Sequence, residues 1–313
     1  MSVAEPLAPG AVVVRAPAKI NLALRVGDPR PDGYHPVLTI YHAISLRDEI
    51  RAEAGEPGGG ISLSLDRAGE RAGVPLGEDN LAVRAVHLLA EQFSCPPDVV
   101  LTLHKAIPVA AGLAGGSADA AAALIAAAAV LGCTVSGEQM RDLAAGIGSD
   151  VPFALVGGTS LGTGRGELLT PVLARGTLHW VLGCSRMGLS TPTVYGTLDR
   201  LRASAAVPPA DLSPPTELLT ALAAGDPAGV GAHLTNDLQA PALTLRPELA
   251  TLLDAGLQAG ALGAVVSGSG PTCAFLAASE AHSIDLAVAL SSVGVCETVL
   301  RAHGPVSGPL HGI

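Results

Sequence analysis

The chain has 313 residues, of which 49% are hydrophobic and 2% aromatic, with a formal net charge of −10. This length suggests about two domains, and the core must be aliphatic. The acidic balance argues against nucleic acid as a general partner, which requires a basic face, and leaves an anionic small ligand possible where positive charge is focused locally.

Cys95, Cys133, Cys184, Cys273 and Cys296 are odd in number and widely spaced, with no C-x-x-C. They read as reduced thiols of a cytoplasmic protein, not as a disulfide framework or zinc site. The first ten residues carry no secretory pattern. The apolar stretch 120–133 falls short of the ~20 residues that span a bilayer, so no membrane partner is expected. Of the 18 basic residues only Lys19 and Lys105 are lysines, which singles them out as positions where a compact ammonium is kept.

The chain opens with a β-rich stretch at 11–15. From Ile20 to Val26 it alternates, with Ile20, Leu22, Leu24 and Val26 on one face and Lys19, Asn21 and Arg25 on the other. That polar face reads equally as solvent exposure or as the lining of a cleft. A loop over 27–36 turns at Asp32-Gly33 and ends in Tyr34-His35. Strands follow at 37–46, 48–56 and 61–65, then a polar connection over 67–79. Residues 80–93 have helical spacing, and 99–105 alternate as a strand.

The segment Pro108-Val109-Ala110-Ala111-Gly112-Leu113-Ala114-Gly115-Gly116-Ser117-Ala118-Asp119 then feeds an alanine-rich helix running to about residue 131. Tiny side chains let a ligand touch the backbone, and the first helical turn offers free N–H groups to a phosphate. Small-residue loops before helices are also common without a ligand. No Lys follows as in a Walker loop, and no G-x-G-x-x-G is present.

A helix is expected over 136–146. Asp150, two residues before Pro152, is either the N-cap of a short helix or a carboxylate at the mouth of a pocket. The glycine-rich stretch 157–166 marks a domain change, giving domains 1–160 and 161–313. Strands are expected at 168–172 and 177–184, a turn into a helix at Ser190-Thr191-Pro192, and a loose Ala/Pro-rich connection over 200–215. Helices at 217–224, 230–234, from 236 and at 247–259 precede a strand at 261–267. The loop Ser267-Gly268-Ser269-Gly270-Pro271 leads into a strand at 272–276. A helix from residue 284, a strand near 296–300 and a tail end the chain, which has no fixed-period repeat.

Pro17-Ala18-Lys19-Ile20-Asn21-Leu22, the 108–119 loop and the 267–271 loop fall in one order. Together they resemble the three signatures of the small-molecule kinases that act on galactose, homoserine, mevalonate and phosphomevalonate. Asp32-Gly33-Tyr34-His35, Glu78-Asp79-Asn80-Leu81, Gly-Ser-Asp-Val-Pro at 148–152 and Thr191-Pro192 with Tyr195 carry the likeness across most of the chain.

The resemblance implies an α+β fold of two domains, the first β-rich and ribosomal-protein-like, the second ferredoxin-like, with the active site in the cleft between them. It implies ATP and Mg²⁺ as cofactors and a cytidine-diphosphate-linked methylerythritol as substrate. Lys19 and Asp150 match the family's catalytic pair, with Asp150 the base. Pro108 to Ala118 and Asn80 match the ATP-binding set. Asn21, Tyr34, His35, Thr191, Tyr195, Gly268, Ser269 and Gly270 match the substrate set, with Tyr34 and Tyr195 sandwiching the cytosine and His35 reading its edge. Ala110, Ala111 and Ala114 stand where glycines are frequent, which keeps close approach but removes freedom at positive φ. Ala118 stands where a serine is frequent, so no protein metal ligand is assigned; Mg²⁺ is carried by ATP, with Ser117 the candidate contact. A monomer or weak homodimer is expected. The other readings of the residues are a sibling kinase for homoserine or a mevalonate-pathway alcohol, and a nucleotide-binding regulator without catalysis.

Overall fold

A computed structural model of the chain describes residues 10–71, 73–185 and 187–312. β1 (Val12–Val26) and β2 (Val37–Ala54) form a long antiparallel pair, built from β-branched and aliphatic residues that fill both sheet faces. β3 (Ile61–Leu65), α1 (Arg67–Arg71), α2 (Leu81–Phe93) and β4 (Val99–His104) follow. Then come α3 (Gly115–Val130), α4 (Gly137–Ile147) and α5 (Val151–Val156). The Ser136 hydroxyl and the Gln139 amide form a capping box that starts α4.

β5 (Thr159–Thr163) and β6 (Leu168–Pro171) form a hairpin whose first strand pairs with β2. β7 (Leu178–Cys184), α6 (Thr191–Ala203), α7 (Thr216–Ala224), α8 (Pro227–Ala232) and the short β8 (Thr235–Asn236) come next. α9 (Gln239–Leu245), α10 (Glu248–Gln258), β9 (Gly263–Val266), β10 (Cys273–Ala277), α11 (Glu280–Ser292) and β11 (Thr298–Gly304) complete the chain.

The first sheet runs β3-β4-β2-β1-β8, with β5 and β6 beside β2. α3 packs on β1 and β2 and is flanked by α2, α4 and α5. Its buried face is almost all alanine, and with no bulk to hold the backbones apart the helix lies deep in the core. The second sheet runs β11-β7-β10-β9 and is wholly antiparallel. Leu249, Leu252 and Leu253 of α10 and Leu286 and Leu290 of α11 pack on its Val181, Val266 and Phe275. Two sheets, each covered by helices, make the two-domain α+β architecture that the motifs imply.

Several local expectations change. The boundary expected at 160/161 falls inside β5, which belongs to the first sheet. Of the stretch at 11–26, Val12–Val26 is one strand with bulges between Pro17 and Ala18 and between Asn21 and Ala23. A bulge inserts one residue and reverses which face the following side chains meet. Leu24 therefore joins Lys19 and Asn21 on the cleft side. Arg25 turns away from them and binds Asp211 at 2.5 Å and Ser213 at 2.6 Å. The 200–215 segment is thus partly helical, to Ala203, and partly a strap pinned by Arg25. The helix expected from Asn236 is preceded by β8, which pairs parallel to β1. The last strand spans Thr298–Gly304, further along than the 296–300 expected.

His42, in the middle of β2, is fully buried and bonds Thr159 at 2.9 Å. Burial pushes its imidazole from 6.5 down to about 3, against a raising contribution from the Gly304 backbone. The unfolded chain takes up this proton near pH 6.5 and the folded chain does not, so stability is full above that pH and is lost as pH falls toward 3. At pH 5 the loss is about 2 kcal/mol, from 1.36 kcal/mol per unit. Urea midpoints at pH 7.5 and 5 should show it, and His42→Gln should flatten the difference. An equal pH dependence in both proteins would contradict this.

Candidate active site

A cleft of about 470 Å³ opens between the two domains. Its floor comes from β1 and β2. Lys19 Nζ donates to Asn21 Oδ1 at 2.6 Å, Asn21 Nδ2 donates to Thr39 Oγ1 at 2.8 Å, and Thr39 donates on to the Ala23 carbonyl at 2.8 Å. The bulge after Asn21 makes room for this chain of bonds inside the sheet.

Asp150 enters from the start of α5. It occupies the N-cap position, but its side chain makes no capping bond. Instead Oδ1 accepts from the Tyr41 hydroxyl at 2.8 Å and Oδ2 stands 3.9 Å from Lys19 Nζ. The carboxylate therefore faces the cleft. Lys19 is 7% exposed at its side chain and Asp150 31%. Burial lowers the ammonium below its usual range, and the Asp150 charge works against that. Burial first, then Asp150, raises the Tyr41 phenol well above its own, so it remains a donor to the carboxylate.

The 108–114 loop lines the same cleft as this pair. Lys19 N donates to the Leu113 carbonyl at 3.1 Å, which ties the floor strand to the loop. Ala110 and Ala114 adopt φ of 53° and 58°, as Gly112 does at 76°. The left-handed turns expected to be lost with alanine are kept, at roughly 1–2 kcal/mol of strain each. No side chain caps α3, so its first N–H groups point into the cleft without a side-chain partner. Pro108, Val109, Ala110, Ala111, Gly112, Ala114, Gly115, Gly116 and Ser117 line the cleft. Leu113 and Ala118 do not; both are fully buried in the core and anchor the loop from behind.

The loop after β9 closes the same wall. Ser267 Oγ donates to the Gly112 carbonyl at 3.1 Å, and a Cβ on Gly112 would lie 2.2 Å from the Ser267 carbonyl oxygen. That oxygen already accepts from Gly270 N at 2.8 Å and has no room to retreat. Gly112→Ala should therefore push the two loops apart. We expect at least a tenfold loss of ATP affinity by calorimetry and a cost on the order of 2 kcal/mol in thermal unfolding. Unchanged ATP affinity would contradict the interlock.

Gly268, Ser269 and Gly270 line the cleft, and Ser269 Oγ is 2.9 Å from Thr191 Oγ1 at the start of α6. Asn236 Nδ2 donates to the carbonyls of Val266 and Gly268 at 2.7 Å each and fixes this loop; the sequence reading missed it. Asn80 also lines the cleft, but its side chain caps α2 by accepting from Ala82 N at 2.8 Å and donates to the Pro75 carbonyl at 2.7 Å.

Tyr195 lines the cleft, with its ring centroid 5.0 Å from that of His35, tilted by 46°. His35 is buried behind it and bonds Asp199 at 2.9 Å. Tyr34 is 55% exposed and lies outside the lining, with the Arg165 guanidinium 5.3 Å from its ring centroid. The ring sandwich expected of Tyr34 and Tyr195 thus has one member in the wall and one at the rim.

Tyr41 escaped the sequence reading, and Lys105 was singled out there without its partners. Tyr41 is one of only three tyrosines and pairs with Asn21 across β1 and β2. Lys105 bridges Asp48 and Asp119, the latter at 2.8 Å. Asp48 in turn accepts from Ala106 N and Ile107 N at 2.7 and 2.8 Å. Burial pushes the Asp119 carboxyl up, against the lowering pull of the Lys105 ammonium. The triad staples the entry of the phosphate-facing loop to α3 one turn in from its start. The scarcity of lysine pointed to Lys105, while its two acidic partners lie far from it in sequence and left no local signal.

Fold and cleft together define an ATP-dependent small-molecule kinase. Residues 80–158 match the N-terminal domain of the GHMP kinases and residues 218–296 their C-terminal domain. The chain is 52% identical over 300 residues to the 4-diphosphocytidyl-2-C-methyl-D-erythritol kinase of Mycolicibacterium smegmatis, covering 96% of this chain and 92% of that protein. A crystal structure of 4-(cytidine 5'-diphospho)-2C-methyl-D-erythritol kinase superposes with a TM-score of 0.74 at 33% identity, over 93% of this chain and 98% of that one. Homoserine kinase from Cytophaga hutchinsonii has the same TM-score at 16% identity, over 99% of each chain, which speaks for the fold alone. This chain belongs to the 4-diphosphocytidyl-2-C-methyl-D-erythritol kinase family, a branch of the GHMP kinases.

Proposed function

We propose that this chain moves the γ-phosphate of ATP onto the 2-hydroxyl of 4-diphosphocytidyl-2-C-methyl-D-erythritol, in cytoplasmic isoprenoid-precursor synthesis, with Lys19 and Asp150 as the catalytic pair. The observation that carries this reading is the Asp150 carboxylate. It is held by Tyr41 and faces Lys19, in a cleft that the uncapped N-terminus of α3 also lines.

The tertiary hydroxyl is a weak nucleophile at neutral pH. Asp150 accepts its proton as the oxygen bonds to the γ-phosphorus and the bond to the β-phosphate oxygen breaks, releasing ADP. Lys19 orients the carboxylate and offsets the negative charge that gathers on the transferring group. The loop backbone and the start of α3 hold the triphosphate in line, which converts binding into positioning. Asn21 fixes the ammonium from below, and Thr191, Ser269 and Tyr195 form the substrate wall.

Among the described residues no cluster of three or more His, Cys, Asp or Glu could hold a metal. In this reading Mg²⁺ enters on the nucleotide and the Ser117 hydroxyl, which lines the cleft at the start of α3, is its protein contact; when bound, the ion would neutralise phosphate charge. No described helix is long and apolar enough to cross a membrane.

Coupled ADP release tests the reading over 4-diphosphocytidyl-2-C-methyl-D-erythritol, homoserine, mevalonate and phosphomevalonate. Turnover of the first alone is expected. Preference for another alcohol, or nucleotide binding without turnover of any, would overturn it.

A further inference from the structure

The proposed reaction brings two polyphosphates into one cleft. The triphosphate of ATP is met by the loop and the start of α3. The diphosphate of the cytidine-linked substrate, which also carries negative charge, needs a cation at the other end.

Among the described residues the cleft has three cationic side chains in its lining, Lys19, Lys105 and Arg165. Lys19 faces Asp150 and Asn21. Lys105 is spent on Asp48 and Asp119, where those two carboxylates outweigh its burial and keep it charged. Arg25 points away to Asp211, and Arg202 bonds Asp237 at 3.0 Å.

Arg165 differs from all of these. It stands at the tip of the β5–β6 hairpin, and its side chain is 37% exposed. Its acidic neighbour is Glu167, with Nε 3.6 Å from Oε1, but Glu167 also folds back to accept from Arg165 N at 2.6 Å.

The hairpin tip is a built feature. Val37 N donates to the Gly164 carbonyl at 2.8 Å and ties the tip to the start of β2. Gly164 and Gly166 adopt φ of 74° and 112°, and a Cβ on Gly166 would lie 2.2 Å from the Tyr41 hydroxyl oxygen. The turn that presents Arg165 therefore also abuts the tyrosine that holds Asp150. The guanidinium lies over the Tyr34 ring, a flat surface suited to a base. A cation, a ring at the rim and the tyrosine that holds the proposed base thus gather at this hairpin tip.

We propose that Arg165 is a specificity-determining residue that binds the diphosphate of the cytidine-linked substrate and selects a nucleoside diphosphate over a bare nucleoside. This rests on the substrate reading given above. A fork of N–H donors suits phosphate oxygens, and a hydrogen bond to a charged group of this strength corresponds to roughly 10–100-fold in affinity.

The test is competitive inhibition by cytidine, CMP and CDP against the wild type, Arg165→Gln and Arg165→Lys, with the KM for ATP followed in parallel. In the wild type CDP should bind more tightly than cytidine. Arg165→Gln should bring the two within about threefold, leave cytidine and the KM for ATP unchanged, and raise the KM for the full substrate by roughly 10–100-fold. Arg165→Lys should retain part of the discrimination. An unchanged CDP-to-cytidine ratio in Arg165→Gln would overturn the inference, as would equal weakening of both ligands, which marks a merely structural part. A wild type that binds no CDP would instead defeat the substrate reading itself, and this inference with it.

Discussion

Asp150→Asn lowers kcat by about 10²–10⁴, the usual worth of a positioned general base. Asn is close in shape and its carbonyl can still accept from the Tyr41 hydroxyl, now 2.8 Å from Oδ1, so the wall of the cleft should survive. The lost capacity is the one that matters for the step, since an amide takes no proton from the substrate hydroxyl. KM values for ATP and substrate should move little, because neither ligand depends on that oxygen for binding. Coupled ADP release at saturating concentrations checks this, with a thermal melt to show that the fold is intact. A kcat within threefold of wild type would remove Asp150 from the reaction.

Lys19→Met lowers kcat by about 10²–10³, the range measured when one preorganised electrostatic donor is removed. The two substitutions differ in what they leave behind. Lys19 is buried but for its tip in the cleft, and burial already lowers its ammonium below the usual range, so an apolar side chain of similar length fits the site with little strain. Asn21 Oδ1 loses the partner it now has at 2.6 Å, at about 1–3 kcal/mol. The expected pattern is a catalytic loss far larger than the stability loss. A variant that melts early but, when folded, turns over normally would make Lys19 a structural residue.

What the sequence could and could not give follows from where each residue's fate is decided. Alternation in 20–26 placed Lys19 and Asn21 on one face, but the bulge after Asn21 depends on pairing with β2 and leaves no mark in the strand itself. Arg25 was therefore put on the wrong side. The 108–119 loop stood out because glycine, alanine and serine before an alanine run restrict what the backbone can do. Which of its residues face the ligand depends on depth, and Leu113 and Ala118 turned out to be core. Asp150 read as either a cap or a pocket carboxylate; it holds the cap position, but its side chain is drawn off by Tyr41, 109 residues earlier. The Lys105 triad, the Asn236 brace and the Arg165 turn also join distant parts of the chain, and no local pattern announces such contacts. The glycines at 157–166 read as a domain break, whereas they serve a hairpin of the first sheet.

The central claim is that the cleft delivers phosphate from ATP to a tertiary hydroxyl through Asp150. The ³¹P spectrum of ATP, 4-diphosphocytidyl-2-C-methyl-D-erythritol and enzyme measures it most directly. The expected result is ADP together with one new phosphomonoester on the 2-hydroxyl, formed in equal amounts, with Asp150→Asn yielding neither on the same timescale. ADP accompanied by inorganic phosphate, a phosphoester on another hydroxyl, or the same product from Asp150→Asn at an undiminished rate would contradict it.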